Sequence, residues 1–349
     1  MEQHFLPSKQ QLRGFMIVIN KQQVQQGLSM SQAIELIEKA MCKVSDGSSI
    51  LPLRWGMAMP EGGFMGMMPG YIADPDCFGI KIVNIMPDNA GSKLSSHLGC
   101  MLLFDAKTGV PLALIDAGEI TAFRTAAASA VATDKLARRD SKVLALVGSG
   151  EQARAHLQAL MLVRDFEEIR VQAWQRDEAE RFAVEMRLQH NLNVKVEDTV
   201  KEALNGACVV CTVTSSPDPI VTADMLQPGM HLNVVGASIP ERQEITNCVV
   251  SASRYYVDFK TSAFNQAGEL IRSVEQGLIT PNHVVGEIGE VLNGDVHGRE
   301  SNHEVTLYRS LGVAAQDLVV ANHLYLQALN GGPGSKIDFY SEAGHEDQS

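Results

Sequence analysis

Lys142-Val-Leu-Ala-Leu-Val-Gly-Ser-Gly-Glu-Gln-Ala-Arg-Ala-His156 is the stretch that decides the fold of this chain. The apolar run Val143–Val147 leads straight into Gly148-Ser149-Gly150-Glu151-Gln152-Ala153, and residues 154–163 then suit a helix. The order is strand, tight turn, helix. Each small residue has a mechanical reason: Gly148 permits the turn, Gly150 lets backbone approach a pyrophosphate, and Ala153 lets the helix pack on the strand. The unpaired N–H groups and positive dipole end at the helix start would hold the phosphates.

A second strand-like run, residues 168–174, follows and ends at Gln175-Arg176-Asp177, where a dinucleotide fold reads the ribose. Gln175 is neutral and Arg176 can pair with a 2′-phosphate, so NADPH is the expected cofactor, with NADH possible; Asp177 works against the phosphate. Further strands are expected at residues 207–213, 231–235 and 255–258, alternating with helical runs as a doubly wound sheet requires. The ligand-side ends of the first two present Val213-Thr214-Ser215 and Val235-Gly236-Ala237-Ser238 to cofactor and substrate.

At 349 residues the chain suits two domains. It is 45% hydrophobic and 20% charged with a mean hydropathy of −0.03, the balance of a soluble globular protein. A net charge of −12 counts against nucleic acid or an anionic membrane as partner. The start, Met-Glu-Gln-His-Phe-Leu-Pro-Ser-Lys, holds no apolar signal core, and no apolar run reaches membrane-spanning length, so the cytoplasm is the expected location. The six cysteines are scattered; Cys208-Val-Val-Cys211 has no second pair to complete a zinc site and reads as core. His283, His297 and His303 have no ligand-like spacing, and no metal is expected.

Ser29 or Ser31 can cap a helix running to about Val44. Short apolar runs at 51–59, 64–71, 78–86, 100–105 and 111–116 then predict a mostly antiparallel sheet, with a hairpin at Lys107-Thr-Gly109. Two cations interrupt these runs. Lys81 shares a strand face with Val83 and Ile85, and Arg54 breaks Ile50-Leu-Pro-Leu-Arg-Trp-Gly-Met57. Arg124 is the one cation in Glu119-Ile-Thr-Ala-Phe-Arg-Thr-Ala-Ala-Ala-Ser-Ala-Val-Ala132, a helix of small residues. A buried cation is costly without an anion, so three of them in apolar elements suggest one carboxylate pocket. The amphipathic helix at 314–329 reads as returning to the first domain. The expected division is a discontinuous α+β substrate and dimerisation domain, 1–125 with 310–349, and a Rossmann dinucleotide-binding domain, 126–309.

With these segments the chain resembles the ornithine cyclodeaminase/mu-crystallin family over approximately residues 51–328. The resemblance rests on Met68-Pro-Gly-Tyr71, Ile80-Lys-Ile-Val83, Ile120-Thr-Ala-Phe-Arg-Thr-Ala-Ala-Ala-Ser129, Gly148-Ser-Gly-Glu-Gln-Ala153, Val234-Val-Gly-Ala-Ser238, Gly286-Glu-Ile-Gly-Glu-Val291 and Ser310-Leu-Gly312. It implies a homodimer joined through the sheet domains, and a substrate carboxylate held by Arg54, Lys81 and Arg124. It also implies substrate contacts at Ser238 and Gly312. The cofactor would be contacted by Ser96, His97, Arg124, Thr125, Gly148, Ser149, Gly150, Glu151, Gln152, Ala153, Gln175, Arg176, Val213, Thr214, Ser215, Val235, Gly236, Ala237 and Ser310. Trp174-Gln-Arg-Asp177 is similar to the Trp-Asn-Arg-Thr of the NADPH-using mu-crystallin branch.

One departure bears on chemistry. Ornithine cyclodeaminases carry an aspartate in Gly-Gly-Asp-x-Pro-Gly-Lys, where this chain has Gly236-Ala-Ser-Ile-Pro-Glu-Arg242. The hydroxyl of Ser238 cannot replace that carboxylate as a general base, which disfavours cyclodeamination. The expected reaction is reduction of an α-imino acid by NAD(P)H to the L-amino acid, with a cyclic ketimine such as Δ1-pyrroline-2-carboxylate or Δ1-piperideine-2-carboxylate as substrate. Lys81, Arg54, Arg124 and Ser238 would be its catalytic residues. The alternatives are an alanine dehydrogenase-like, iminosuccinate or opine-type reaction, the disfavoured ornithine cyclodeamination, and a non-catalytic NADPH-binding protein. Glu287 and Glu290 read as helix-surface or interdomain pairs, and Asp317 either faces the nicotinamide or packs between domains.

Overall fold

A computed structural model of the chain describes residues 14–86, 89 and 97–339. The first sheet begins with β1 (Phe15–Ile19) and continues through β2 (Ser49–Ile50), β3 (Trp55–Ala58), β4 (Phe64–Ala73), β5 (Asp76–Ile85), β6 (His97–Asp105) and β7 (Pro111–Asp116). The second holds β8 (Val143–Val147), β9 (Glu168–Gln172), β10 (Val194–Val196), β11 (Val209–Thr212), β12 (His231–Val234), β13 (Arg254–Val257), β14 (Val284–Glu287) and β15 (Thr306–Arg309). The last strand, β16 (Ser335–Asp338), returns to the first sheet.

The first sheet runs β16-β1-β7-β6-β5-β4-β2, with β3 also on β4. It is antiparallel except where β1 lies parallel to β7. The β6–β7 hairpin turns where expected, with Asp105 Oδ1 accepting from the Thr108 N–H at 2.8 Å and Gly109 at φ 72°. Ser29 is the residue that caps the Met30–Ser45 helix, in a reciprocal capping box with Gln32. The expected strand at 51–59 is shorter. Pro52 offers no N–H and leaves a non-strand segment carrying Arg54 between β2 and β3.

The second sheet runs β10-β9-β8-β11-β12-β15-β13-β14 and all its pairings are parallel. Apolar clusters cover both of its faces, as a doubly wound sheet demands. Chain order reverses between β8 and β11, the crevice where such sheets bind ligands.

Two helices join the sheets. The Ala117–Leu136 helix is capped by Asp116, whose carboxylate accepts from the Glu119 N–H at 2.8 Å, and it touches both sheets. Its alanines allow that close approach. The expected boundary at 125/126 falls inside this continuous helix. The Ala314–Leu329 helix leaves the second sheet and packs on β4, β5 and the Met30–Ser45 helix. Among the described residues no helix is long and apolar enough to cross a membrane.

Glu287 and Glu290 lie at the seam. Ser45 Oγ donates to Glu287 Oε2 at 2.6 Å, and Lys260 Nζ meets both Glu290 oxygens at 2.8 Å. Gly289 lets the Ile288–Asn293 helix abut the Met30–Ser45 helix, because a Cβ there would sit 2.0 Å from the Met41 carbonyl oxygen. Backbone cannot yield as a side-chain tip does. Gly289→Ala is therefore expected to cost about 1–3 kcal/mol, measurable as a lowered midpoint in thermal or urea unfolding.

Candidate active site

Three elements distant in sequence converge on one carboxylate. Lys81, on β5, is 2% exposed; its Nζ donates to Asp317 Oδ1 at 2.9 Å and to Thr121 Oγ1 at 3.3 Å. Arg124, 5% exposed, donates from Nε to the same Asp317 oxygen at 3.2 Å and from Nη1 to Gln316 Oε1 at 3.0 Å. Asp317 sits in the first turn of the Ala314–Leu329 helix, fully buried, and its Oδ2 has no hydrogen-bond partner among the described residues. It is the packing partner of the two cations.

Arg54 enters from the segment before β3. Its Nε donates to Gln266 Oε1 at 2.9 Å, and Nη2 donates to the carbonyls of Leu311 and Gly312. The other side of that loop is held by Asp258, at the end of β13, whose Oδ2 accepts from the Leu311 and Gly312 N–H groups and whose Oδ1 accepts from the Phe259 N–H. Gly312 has φ 80°, and a Cβ there would lie 2.2 Å from Arg124 Nη1. Only glycine leaves Arg124 its place.

Burial governs the electrostatics. It lowers Lys81 from 10.5 to about 8, assisted by the repulsion of Arg124 and opposed by Asp317. Burial likewise brings Arg54 down to about 10, with Asp258 opposing it and Arg124 contributing to it. The three cations face two carboxylates, Asp317 and Asp258; Arg309, which also repels Arg54, is paired with Glu269.

The cofactor side is built from backbone. Gly148 has φ 114°, and a Cβ there would be 2.9 Å from the Val213 carbonyl, whereas the space beside Gly150 is open. Ala153 is fully buried against the sheet, Ser149 accepts Arg154 Nη1 through its carbonyl at 2.7 Å, and the buried Gln152 Oε1 lacks a partner among the described residues. A glycine turn open at Gly150, a helix start and an unpartnered buried acceptor fit a dinucleotide. Glu151 pairs with Lys21 at 3.0 Å, and Thr125 donates to the Thr121 carbonyl at 2.6 Å. Ser310 is buried next to the 311–312 loop, its N–H on the Val234 carbonyl. At the ribose strand end, Trp174 is 97% exposed, Gln175 precedes the Arg176–His190 helix, and Arg176 pairs with Glu180 and Asp198.

Val213, Thr214 and Ser215 follow β11, and Val235, Gly236, Ala237 and Ser238 follow β12. Ala237 is held at φ 57°. Ser238 is half-buried and makes no hydrogen bond to the Lys81–Arg124–Asp317 group. Ser96 lies outside the described residues, and His97 opens β6 opposite Ile85. Sequence reasoning did not find Asp258, Gln266, Gln316 or Arg309. Asp258 alone carried a signal, as an acid at a strand end on the ligand side. Among the described residues no group of three or more His, Cys, Asp or Glu is placed to hold a metal.

The chain matches the ornithine cyclodeaminase/mu-crystallin family over residues 16–332. It is 31% identical to a Delta(1)-pyrroline-2-carboxylate reductase of Bacillus thuringiensis subsp. konkukian over 93% of this chain and all of that protein. It is 34% identical to the ketimine reductase mu-crystallin of Mus musculus, over 88% of this chain and 96% of that one. The solved structure of Thermococcus litoralis Delta(1)-pyrroline-2-carboxylate reductase with NADH and L-proline superposes with a TM-score of 0.89 at 34% identity, covering 92% of this chain and all of that chain.

Removing the shared carboxylate leaves two buried cations uncompensated. Asp317→Ala is expected to lower the unfolding free energy by about 3–5 kcal/mol, read as a shift of the urea midpoint at constant slope.

Proposed function

Because the chain belongs to the ornithine cyclodeaminase/mu-crystallin family, we propose that it is an NAD(P)H-dependent oxidoreductase that reduces a cyclic ketimine, Δ1-pyrroline-2-carboxylate or Δ1-piperideine-2-carboxylate, to the L-amino acid. The observation that carries the reading is the convergence of buried Lys81 and Arg124 with half-buried Arg54, three cations against the two carboxylates Asp317 and Asp258. That surplus matches a substrate with one carboxylate. A dicarboxylate such as iminosuccinate would leave one charge unmatched.

In this reading Arg54 and Arg124 clamp the carboxylate and fix the imine carbon in one orientation, a proximity effect. The Gly148–Ala153 turn and the loops after β11 and β12 would hold the dinucleotide, which would supply the hydride when bound. Lys81, held by Asp317, supplies the proton to the imine nitrogen and is reprotonated from solvent. Ser238 places a polar hydroxyl at the position where cyclodeaminases have their aspartate, and it does not act as a base. NADPH is the preferred cofactor, with NADH also accepted: a 2′-phosphate would have to compete for Arg176 with Glu180 and Asp198.

Purified protein is expected to oxidise NADPH, and more slowly NADH, with one of the two cyclic ketimines in preference to iminosuccinate or pyruvate plus ammonia. Lys81→Met should lower kcat/KM by about 10²–10⁴ with cofactor binding intact; an unchanged rate would mean that the residue takes no part. Because the protonated amine is the active form and Lys81 is lowered to about 8, kcat/KM should hold steady below pH 7 and fall as pH rises through about 8.

The active unit in this reading is a homodimer. Trp55, Met57, Met59, Met86 and Leu98 are exposed toward one end of β3, β5 and β6 in the first sheet, an apolar cluster of the kind that marks an interface. Arg54 lies beside that cluster. Light scattering should give twice the chain mass, and Trp55→Glu should shift it toward the monomer.

A further inference from the structure

Glu244 lies in the connection after β12 and is fully buried, yet it forms no ion pair with any described residue. Burial pushes its pKa up, and four short hydrogen bonds together with the nearby Arg309 charge work against that rise. Oε2 accepts from Thr212 Oγ1 at 2.7 Å and from the Gly236 N–H at 2.7 Å; Oε1 accepts from the Thr214 N–H at 2.7 Å and from Thr214 Oγ1 at 2.6 Å. Burying a carboxylate costs several kcal/mol, and an apolar side chain would hold a loop more cheaply. What an apolar side chain cannot do is fix two backbone N–H groups at a set separation.

Those N–H groups belong to the loops after β11 and β12, beside the crevice where chain order reverses. The contact between the loops is tight. A Cβ on Gly236 would lie 2.2 Å from the Thr214 carbonyl oxygen and 2.5 Å from Glu244 Cδ. Arg309 grips the opposite side of the second loop. Its guanidinium donates to the carbonyls of Val234, Gly236 and Ala237, while its Nε lies 2.7 Å from Glu269. N–H groups on one side and carbonyls on the other are thus both committed, which holds Ala237 at its left-handed φ.

We propose that Glu244 is a positioning residue for the dinucleotide: it sets the separation of the Thr214 and Gly236 loops and through it the affinity of the site for cofactor. The inference rests on the reading that these loops take a nicotinamide dinucleotide. Glu244→Gln puts an amide NH2 where one oxygen accepted two donors, so a loop N–H loses its acceptor whichever way the amide turns. Glu244→Asp keeps the charge but is too short to reach both loops. Thr212→Val removes the one bond that ends on a strand and leaves the three loop bonds.

Dissociation constants of NADPH and NADH, measured by nucleotide fluorescence on the full chain alongside thermal midpoints, test this. Glu244→Gln is expected to weaken cofactor binding by about tenfold or more, with Glu244→Asp intermediate. Thr212→Val should lower the midpoint while keeping wild-type affinity. Equal affinity in wild type and Glu244→Gln, or equal losses in Glu244→Gln and Thr212→Val, would overturn the inference. Should Glu244→Gln not fold, the comparison of Glu244→Asp with Thr212→Val decides on the same terms. A wild type that binds neither dinucleotide would overturn the underlying reading, and the inference with it.

Discussion

One oxygen of Asp317 accepts both Lys81 and Arg124, and the arrangement of the site depends on that sharing. Two buried cations repel each other and each has lost its water; a carboxylate between them offsets both terms. The carboxylate must come from the Ala314–Leu329 helix, so the chain has to leave the second sheet and pack again on β4 and β5. The return of the C-terminal helix is thus an electrostatic requirement as well as a packing one. With Asp317 in place, the cations keep enough unspent charge to attract a single carboxylate.

The loop carrying Leu311 and Gly312 translates this into geometry. Asp258 takes its N–H groups and Arg54 its carbonyls, and Gly312 leaves room for Arg124. A substrate carboxylate would meet a pocket whose donors are already anchored from behind. Little reorganisation remains for the binding step, which is where preorganised charge is worth most.

Local pattern made the nucleotide domain legible. Glycine spacing, a strand before it and a helix after it are all encoded within a dozen residues, and the alternation of apolar runs follows from the two-sided burial of a parallel sheet. Lys81 and Arg124 were visible because each is the wrong residue for its apolar surroundings. Asp317 gave no such contrast, since an acid in the first turn of a helix is ordinary, and its two readings could not be separated without knowing what packs on it. Glu244 sits in an irregular segment with no period to violate. β10 has three residues, Val194–Val196, too few for a pattern to find. Arg54 lies in an apolar run that suggests a strand, and Pro52, without an N–H, keeps that part of the run out of the sheet.

The loop after β12 shows how the same frame is turned from one chemistry to another. Cyclodeaminases place a carboxylate there, a base that has to reach the substrate amine. This chain has Ser238 instead, on a loop fixed through Gly236 and Ala237 by Glu244 and Arg309. A hydroxyl held in place can accept or donate one hydrogen bond but cannot store a proton near neutral pH. In the proposed reaction the proton comes from Lys81, whose burial lowers it to about 8. Adding a proton to an imine needs an acid and no base, so a hydroxyl after β12 and a lysine lowered by burial within β5 suit the same reductive chemistry.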